Sequence, residues 1–246
     1  MQVGQAVSDG SLALSSTRSA TTVAAPRRPS TLTRVFVAFV MLTGLMIGLG
    51  FLTTHVLVHH WPLTLEDQAA RAVAAQRTPA LDVISNDVSL VAYIPGLAIV
   101  TVVAGCAMRL AFHRWREFLF LVAALLAEVE VFGIITRVVT RARPPVPKLD
   151  DFPPMESFPS GHVAAAVALY GGIALILSMH ARRAAHAVAW WALLMVVPVA
   201  VAISRVYRGM HYPSDTAASF ILGLGCLWIL QRAMLPPVSP PAVRAS

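Results

Sequence analysis

Residues 35–54 read VFVAFVMLTGLMIGLGFLTT and contain no charged side chain. A helix needs about 20 mostly apolar residues to cross the hydrocarbon core of a bilayer. Further apolar stretches follow, the last of them extended by its flanks, at residues 89–108, 118–136, 163–179, 184–203 and 216–230. The sequence therefore predicts an all-α, polytopic membrane protein with six transmembrane helices.

The composition supports a membrane protein. The chain is 57% hydrophobic and only 13% charged, whereas soluble domains are usually about 45–50% apolar and about 25% charged. The formal net charge is +7, but the basic residues lie between apolar runs, as membrane topology places them. We therefore expect the bilayer as a partner and no nucleic acid. Nothing in the pattern specifies an oligomeric state.

The two ends differ in composition from the centre. Residues 1–33 are rich in Ser, Thr, Ala and Arg, which predicts a disordered N-terminal tail. Residues 236–246, PPVSPPAVRAS, predict a proline-rich C-terminal tail that cannot continue a helix. The remaining residues, 34–235, are predicted to form the six-helix membrane domain. Its first span reads as an uncleaved anchor, because no clear small-residue cleavage site follows it.

Basic residues predict the orientation. If six spans alternate, one side receives Arg28, Arg34, Arg114, Arg116, Arg182, Arg183 and Arg232. That side is expected to be cytoplasmic, together with both termini. The connections at residues 137–162 and 204–215 then face the outside of the plasma membrane. The first of these connections keeps four cations on the outer side, against the general rule, and this suggests a function for them.

Three polar clusters fall on the predicted outer face. They are RVVTRARPP at residues 137–145, PSGH at residues 159–162 and SRVYRGMHYPSD at residues 204–215. Each alone is a weak signal, since Ser-Gly-His often caps a helix and paired arginines often anchor one. Together they supply a nucleophile, an orienting carboxylate, an acid and donors for charged oxygens, which are the groups that phosphoryl transfer needs.

The third cluster places His211 and Asp215 four residues apart, at the start of the last span. Pro213 suits the first position of a helix. We expect Asp215 to accept the Nδ1 proton of His211, which leaves Nε2 free to attack phosphorus. The alternative is a capped helix with an interfacial histidine.

The second cluster begins the fourth span. Ser160 is a suitable N-cap, Gly161 lets the backbone approach a ligand closely, and the helix start attracts anions. His162 follows in the first turn, where its imidazolium could protonate a leaving alkoxide. Arg143 and Arg205 can each contact phosphoryl oxygens through two N–H groups.

In these clusters the chain resembles the type 2 phosphatidic acid phosphatases, which are relatives of vanadium haloperoxidases and bacterial acid phosphatases. The family pattern is Lys, six residues, Arg-Pro; then Pro-Ser-Gly-His; then Ser-Arg, five residues, His, three residues, Asp. The second and third elements are complete here, at residues 159–162 and 204–215. In the first element Arg143 fits, but Thr136 occupies the Lys position. We expect Arg137 to replace that Lys, with Lys148 as the alternative.

The resemblance implies an integral-membrane lipid phosphatase that uses no metal and no cofactor and forms a phosphohistidine. By motif position, His211 would be the nucleophile, Asp215 its orienter and His162 the general acid. The phosphate ligands would be Arg143, Ser160, Gly161, Arg205 and Arg137. The substrate would be a polyprenyl diphosphate or a phosphatidic-acid-like phospholipid. The alternatives are an altered member that transfers head groups or only binds lipids, and a transporter.

Two further features of the sequence lie outside the three polar clusters. Glu128 and Glu130 lie inside the third predicted span, where acidic residues are costly and usually face a partner or water. We favour a structural pair over a polar path beneath the site. Residues 61–90 contain helical stretches of mixed polarity, which predict an amphipathic element on the outer surface that covers the access of substrate.

Overall fold

The computed structural model describes residues 30–151 and 156–235. Within these ranges all regular structure is helical, and six helices are long and apolar enough to cross a membrane. The prediction of an all-α, six-span membrane protein is confirmed. The tails predicted before residue 30 and after residue 235 lie outside the described residues. The first helix already begins at Thr31, slightly before the predicted boundary, because the hydroxyl of Ser30 caps it.

The helices follow the predicted spans with two additions before the second span. They are α1 Thr31–Phe51, α2 Glu66–Ala75, α3 Pro79–Leu90, α4 Ile94–Phe112, α5 Arg116–Val138, α6 Gly161–Ala166, α7 Gly172–Met179, α8 Ala184–Tyr207 and α9 Pro213–Met234. A π-helical turn and a 3-10 turn extend α1 to His59. A second π-helical turn joins α6 to α7, so these two form the fourth span.

The second span begins later than predicted. Its apolar run starts near Ser89, but α3 continues to Leu90 and α4 begins only at Ile94. Pro95 explains the new start, because proline has no N–H to donate and fits best in the first turn of a helix, where no such bond is required. The break places Tyr93 against His162, at the start of the fourth span.

The fourth span is the centre of the bundle. In its apolar window 72% of the residues are buried, against 17–44% in the other five spans. Alanines and glycines allow this burial, since small residues let membrane helices approach closely. At the contact with α9, a Cβ added to Gly223 would lie only 2.7 Å from the side chain of Val167. Spans α5, α8 and α9 pack against this helix, α1 packs against α5 and α9, and α4 packs against α5. Much of the apolar surface of these outer helices is exposed.

The predicted amphipathic element is a pair of short helices, α2 and α3, that fold over one end of the bundle. The guanidinium of Arg77 donates to the carbonyls of Tyr207 and Pro147, at 2.8–3.0 Å and 2.6 Å. The hydroxyl of Tyr207 donates to Asp82 at 2.8 Å. These contacts fix α2 and α3 to the end of α8 and to the loop after α5, where the polar clusters lie.

Candidate active site

The three polar clusters meet in one cavity of about 380 Å³. All three clusters contribute to its lining, through Arg143, Gly161, His162, Arg205 and His211. A larger and more open depression lies at the other end of the bundle, around His180 and Arg182. That depression contains no residue of the three clusters. The smaller cavity is therefore the candidate active site.

His211 lies in the connection between α8 and α9 and is only 4% exposed. Its Nδ1 is 2.7 Å from the backbone carbonyl of Ser157. A carbonyl oxygen only accepts, so Nδ1 carries the proton and the lone pair is on Nε2. Burial lowers the pKa of His211 well below its ordinary value, and the charges of Arg143 and Arg205 lower it further. The imidazole is thus held neutral, in the tautomer a nucleophile requires.

The expected hydrogen bond from His211 to Asp215 is wrong. Asp215 is the third residue of α9, and its carboxylate turns back to accept from the backbone N–H of Tyr212 at 2.9 Å. The same carboxylate accepts from the hydroxyl of Ser157 at 2.5 Å and from Arg141. Its acceptor sites are therefore directed away from the imidazole. Among the described residues, the hydrogen-bonded link from the Asp215 carboxylate to the His211 side chain passes through Ser157.

Arg141 was missed as a site residue. It is 5% exposed and forms ion pairs with Asp215 and with Glu66, the latter at 2.8 Å. Glu66 in turn accepts from the backbone N–H of Ser214 at 2.9 Å, at the start of α9. The only sequence signal for Arg141 was its place among the cations of the outer connection. Glu66 carried no signal, since its partners are far away in the chain.

Arg205 and Arg143 bring positive charge to the cavity. Arg205 is 1% exposed, and its guanidinium lies 2.6 Å from Asp150. Asp150 also pairs with Arg208. Although burial opposes it, the hydrogen bond from Arg208 and the charge of Arg205 hold the pKa of Asp150 below its ordinary value. Arg143 donates to the carbonyl of Met210 at 3.1 Å, next to His211.

The start of α6 completes the polar end of the cavity. Ser160 is the N-cap, and its backbone N–H donates to Ser219 at 2.8 Å. Its hydroxyl is fully buried and has no hydrogen-bond partner within the described residues, but Ser160 is not among the residues that line the cavity, whereas its neighbours Pro159 and Gly161 are. A Cβ on Gly161 would lie 3.0 Å from the ring of Phe132, so packing also requires a glycine here. The imidazole of His162 contacts the ring of Tyr93 edge to face, with centroids 4.6 Å apart.

The expected placement of Arg137 is wrong. Its side chain is exposed, and its guanidinium donates to the carbonyl of Gly133 on its own helix at 2.8 Å. One residue turns a helix by about 100°, so Arg137 faces away from the side that Thr136 occupies. Thr136 itself bonds to carbonyls of α5, and Lys148 is exposed. Neither Arg137 nor Lys148 lines the described part of the cavity.

Glu128 and Glu130 are not a structural pair. Glu128 is 1% exposed and lines the apolar part of the cavity, whereas Glu130 is exposed on the outside of the bundle. Two residues along a helix turn the side chain by about 200°, which separates the two carboxyl groups. Glu128 therefore belongs to the cavity.

Comparison with known proteins is consistent with this geometry. The model of the PAP2 superfamily matches residues 116–236. Phosphatidylglycerophosphatase B of Bacillus subtilis is 28% identical over 190 residues, which cover 72% of this chain and 87% of that protein. Undecaprenyl-diphosphatase of Sulfolobus acidocaldarius is 32% identical over 129 residues, 48% of this chain and 55% of that protein.

A solved structure has the same fold. It is that of a transmembrane PAP2 type phosphatidylglycerolphosphate phosphatase from Bacillus subtilis, with a TM-score of 0.64 and 24% identity. The match covers 81% of this chain and 94% of that one. It includes most of the described helices, so the likeness extends well beyond the residues that the family model matches.

Proposed function

Since this chain carries a domain of the PAP2 superfamily at residues 116–236, we propose that it is an integral-membrane lipid phosphatase that forms a phosphohistidine at His211. The observation that carries the proposal is the environment of that side chain. A buried, neutral imidazole with its Nδ1 proton fixed on Ser157 lines one cavity with Arg143, Arg205 and a second histidine. The relatives reported above are named as phosphatases of lipid phosphates, which supports the reaction class.

In the first step, Nε2 of His211 attacks phosphorus, and the bond from phosphorus to the leaving oxygen breaks as the P–N bond forms. His162 gives its proton to that oxygen. The lipid leaves as an alcohol from a monophosphate, or as a lipid monophosphate from a diphosphate. In the second step water attacks the phosphohistidine, the P–N bond breaks, and His162 takes the proton from water. Inorganic phosphate is released, and both histidines return to their starting states.

The charge that develops on the phosphoryl oxygens is stabilised by groups already in place. Arg143 and Arg205 supply guanidinium donors from the lining of the cavity, and Gly161 lies among the unpaired N–H groups at the start of α6. The Ser160 hydroxyl, next to Gly161, would have to turn toward the cavity to donate as well. Asp150 neutralises part of the charge of Arg205 at 2.6 Å, so the arginine is held in position before substrate arrives. Asp215 holds Ser157 in place by accepting a hydrogen bond from its hydroxyl, and the carbonyl of Ser157 in turn orients the imidazole of His211.

The reaction needs no metal in this proposal. Within the described residues, no three His, Cys, Asp or Glu side chains are grouped so that they could hold a metal ion. Every acidic or basic group that the two steps require is a side chain of the chain itself. Activity that survives a chelator is the expected result.

We place the active site at the extracytoplasmic face of the plasma membrane. All three polar clusters, with α2 and α3, lie at one end of the bundle, and the arginines before α5, between α7 and α8 and at the end of α9 lie at the other. Positive charge in short connections marks the cytoplasmic side. The substrate would then be a lipid phosphate of the outer leaflet.

A second candidate function follows from Thr136. No described cation takes the place of the family's Lys in the cavity, so a phosphate contact is missing. A protein that binds lipid phosphates, or that transfers head groups, without releasing phosphate would fit this loss.

One assay separates these functions. The purified protein in detergent with EDTA is given phosphatidylglycerophosphate, phosphatidic acid or a polyprenyl diphosphate, and inorganic phosphate is measured. The proposal expects release from at least one of these lipids, and expects none from the matched variant His211→Ala. Binding without release in the unaltered protein would favour the second candidate.

A further inference from the structure

The cavity does not end at the groups that face phosphate. Below His162 and Phe132 it continues along α5, between α4 and α6, with a lining of Leu97, Glu128, Val129 and Ala165. Most of this lower part is hydrocarbon, as the chain of a lipid requires. Among the described residues that line this lower part, Glu128 is the one with an ionisable side chain.

Glu128 lies deep in the membrane. It precedes the end of α5 at Val138 by ten residues, which corresponds to about 15 Å along the helix axis. Glu128 is 1% exposed, and its Oε1 is buried without a hydrogen-bond partner within the described part of the chain. A buried polar atom without a partner is uncommon and costly, and acidic residues inside spans usually serve a ligand or a polar path.

The position of Glu128 relative to the residues that bind phosphate determines which part of a bound lipid lies next to its carboxyl group. Phe132 packs at Gly161, and Glu128 precedes it by four residues, which is about 6 Å along the axis of α5. When phosphorus is next to His211, the part of the lipid that passes Glu128 therefore follows the phosphate by a few bonds. In a diacylglycerol phosphate this part contains the ester carbonyls, which accept hydrogen bonds. In a polyprenyl phosphate it contains only hydrocarbon, and the carboxyl would stay without a partner.

We propose that Glu128 donates a hydrogen bond from its carboxyl to an acyl-ester carbonyl of the substrate, so that the site prefers diacylglycerol-based monophosphates to polyprenyl phosphates. The inference rests on the proposed lipid phosphatase function and adds the substrate class. Glu128 is a specificity-determining residue and takes no part in the chemistry at phosphorus.

The test compares three substrates: dioleoyl phosphatidic acid, its ether-linked dialkyl analogue, which has no carbonyls, and a polyprenyl monophosphate. Each is given to the unaltered protein and to Glu128→Leu, Glu128→Gln and Glu130→Leu. The last variant is the matched control, because Glu130 lies on the same helix and faces outward. Activity of each variant on the polyprenyl substrate reports that it is folded.

We expect Glu128→Leu to lower kcat/KM on the diester roughly tenfold, the effect of one lost hydrogen bond, mainly through KM. On the ether and polyprenyl substrates it should change little. Glu128→Gln keeps a donor and should retain most of the preference, and Glu130→Leu should match the unaltered protein.

Equal losses on all three substrates, or no change in the ratio between them, would overturn the inference and leave the phosphatase function standing. An unaltered protein that hydrolyses none of the lipids would overturn both.

Discussion

The imidazole of His211 donates its Nδ1 proton to the backbone carbonyl of Ser157, 2.7 Å away, and not to the carboxylate of Asp215. The hydroxyl of the same serine donates to Asp215 at 2.5 Å. Ser157 therefore lies between Asp215 and His211 and couples the position of the carboxylate to that of the imidazole. Arg141 and Glu66 support this arrangement from outside the family's motifs.

The first prediction concerns this relay. Ser157→Ala keeps the carbonyl that orients His211 but removes the hydroxyl that fixes it to Asp215. We expect kcat to fall by roughly three- to tenfold, the effect of one hydrogen bond. Asp215→Asn should cost more, because it weakens the contacts to Ser157, Arg141 and the start of α9 together. Steady-state kinetics with an aryl phosphate measure both, and thermal unfolding controls for stability.

A Ser157→Ala protein with unchanged kcat, beside a severely impaired Asp215→Asn protein, would contradict the relay. That pattern would mean that Asp215 acts on His211 directly when substrate is bound.

The second prediction is a pH profile. The nucleophile must be neutral, and burial with the charges of Arg143 and Arg205 lowers the pKa of His211. A lowered pKa keeps Nε2 unprotonated to more acidic pH, so the acid limb of kcat/KM should lie below the ordinary histidine value of about 6.5. The profile is corrected for ionisation of the substrate.

Arg143→Gln supplies the control, because it removes one of the charges that lower this pKa. The acid limb should then move to higher pH. An acid limb at or above pH 6.5 in the unaltered protein would conflict with the buried position of His211.

The third prediction separates two arginines. The guanidinium of Arg137 is exposed and bonded to its own helix, whereas Arg143 lines the cavity. Arg137→Gln should leave kcat/KM unchanged. Arg143→Gln should lower it about 10- to 100-fold, since a charged hydrogen bond contributes roughly 1.5–3 kcal/mol. The reverse order of effects would show that Arg137 reaches the phosphate after all.

The fourth prediction concerns orientation. A cysteine at the exposed Lys148 should react with an impermeant maleimide in intact cells, and a cysteine at the exposed Arg182 should react only after the membrane is opened. Both are introduced in a Cys106→Ala background, because Cys106 is exposed. The opposite labelling pattern would place the active site in the cytoplasm.

Local patterns in the sequence predicted the number of spans and five of the residues that line the cavity, namely Arg143, Gly161, His162, Arg205 and His211. Apolar length is read directly from the chain, and the motif residues carry chemical types that only a shared site explains. The partner of His211 was not predictable, because the spacing to Asp215 does not show that helix capping and Arg141 already occupy the carboxylate. Glu66 contacts Ser214 across 148 positions, a separation that no local pattern reports.

The side chains of α5 show the same limit. Arg137 and Thr136 are neighbours in the sequence, but the rotation of α5 about its axis decides the direction of each side chain, and neither of them lines the cavity. That rotation is set by packing against other spans, and so is the inward direction of Glu128. Both assignments required the structure.

The central claim is that His211 becomes phosphorylated during turnover. The most direct measurement is to mix the protein with a ³²P-labelled lipid phosphate, quench within milliseconds in alkali, which preserves phosphohistidine, and locate the label by peptide mapping. We predict an alkali-stable, acid-labile phosphate on the peptide that contains His211, and no label in His211→Ala. Turnover of the same substrate without any labelled protein, or with the label on another residue, would contradict the account.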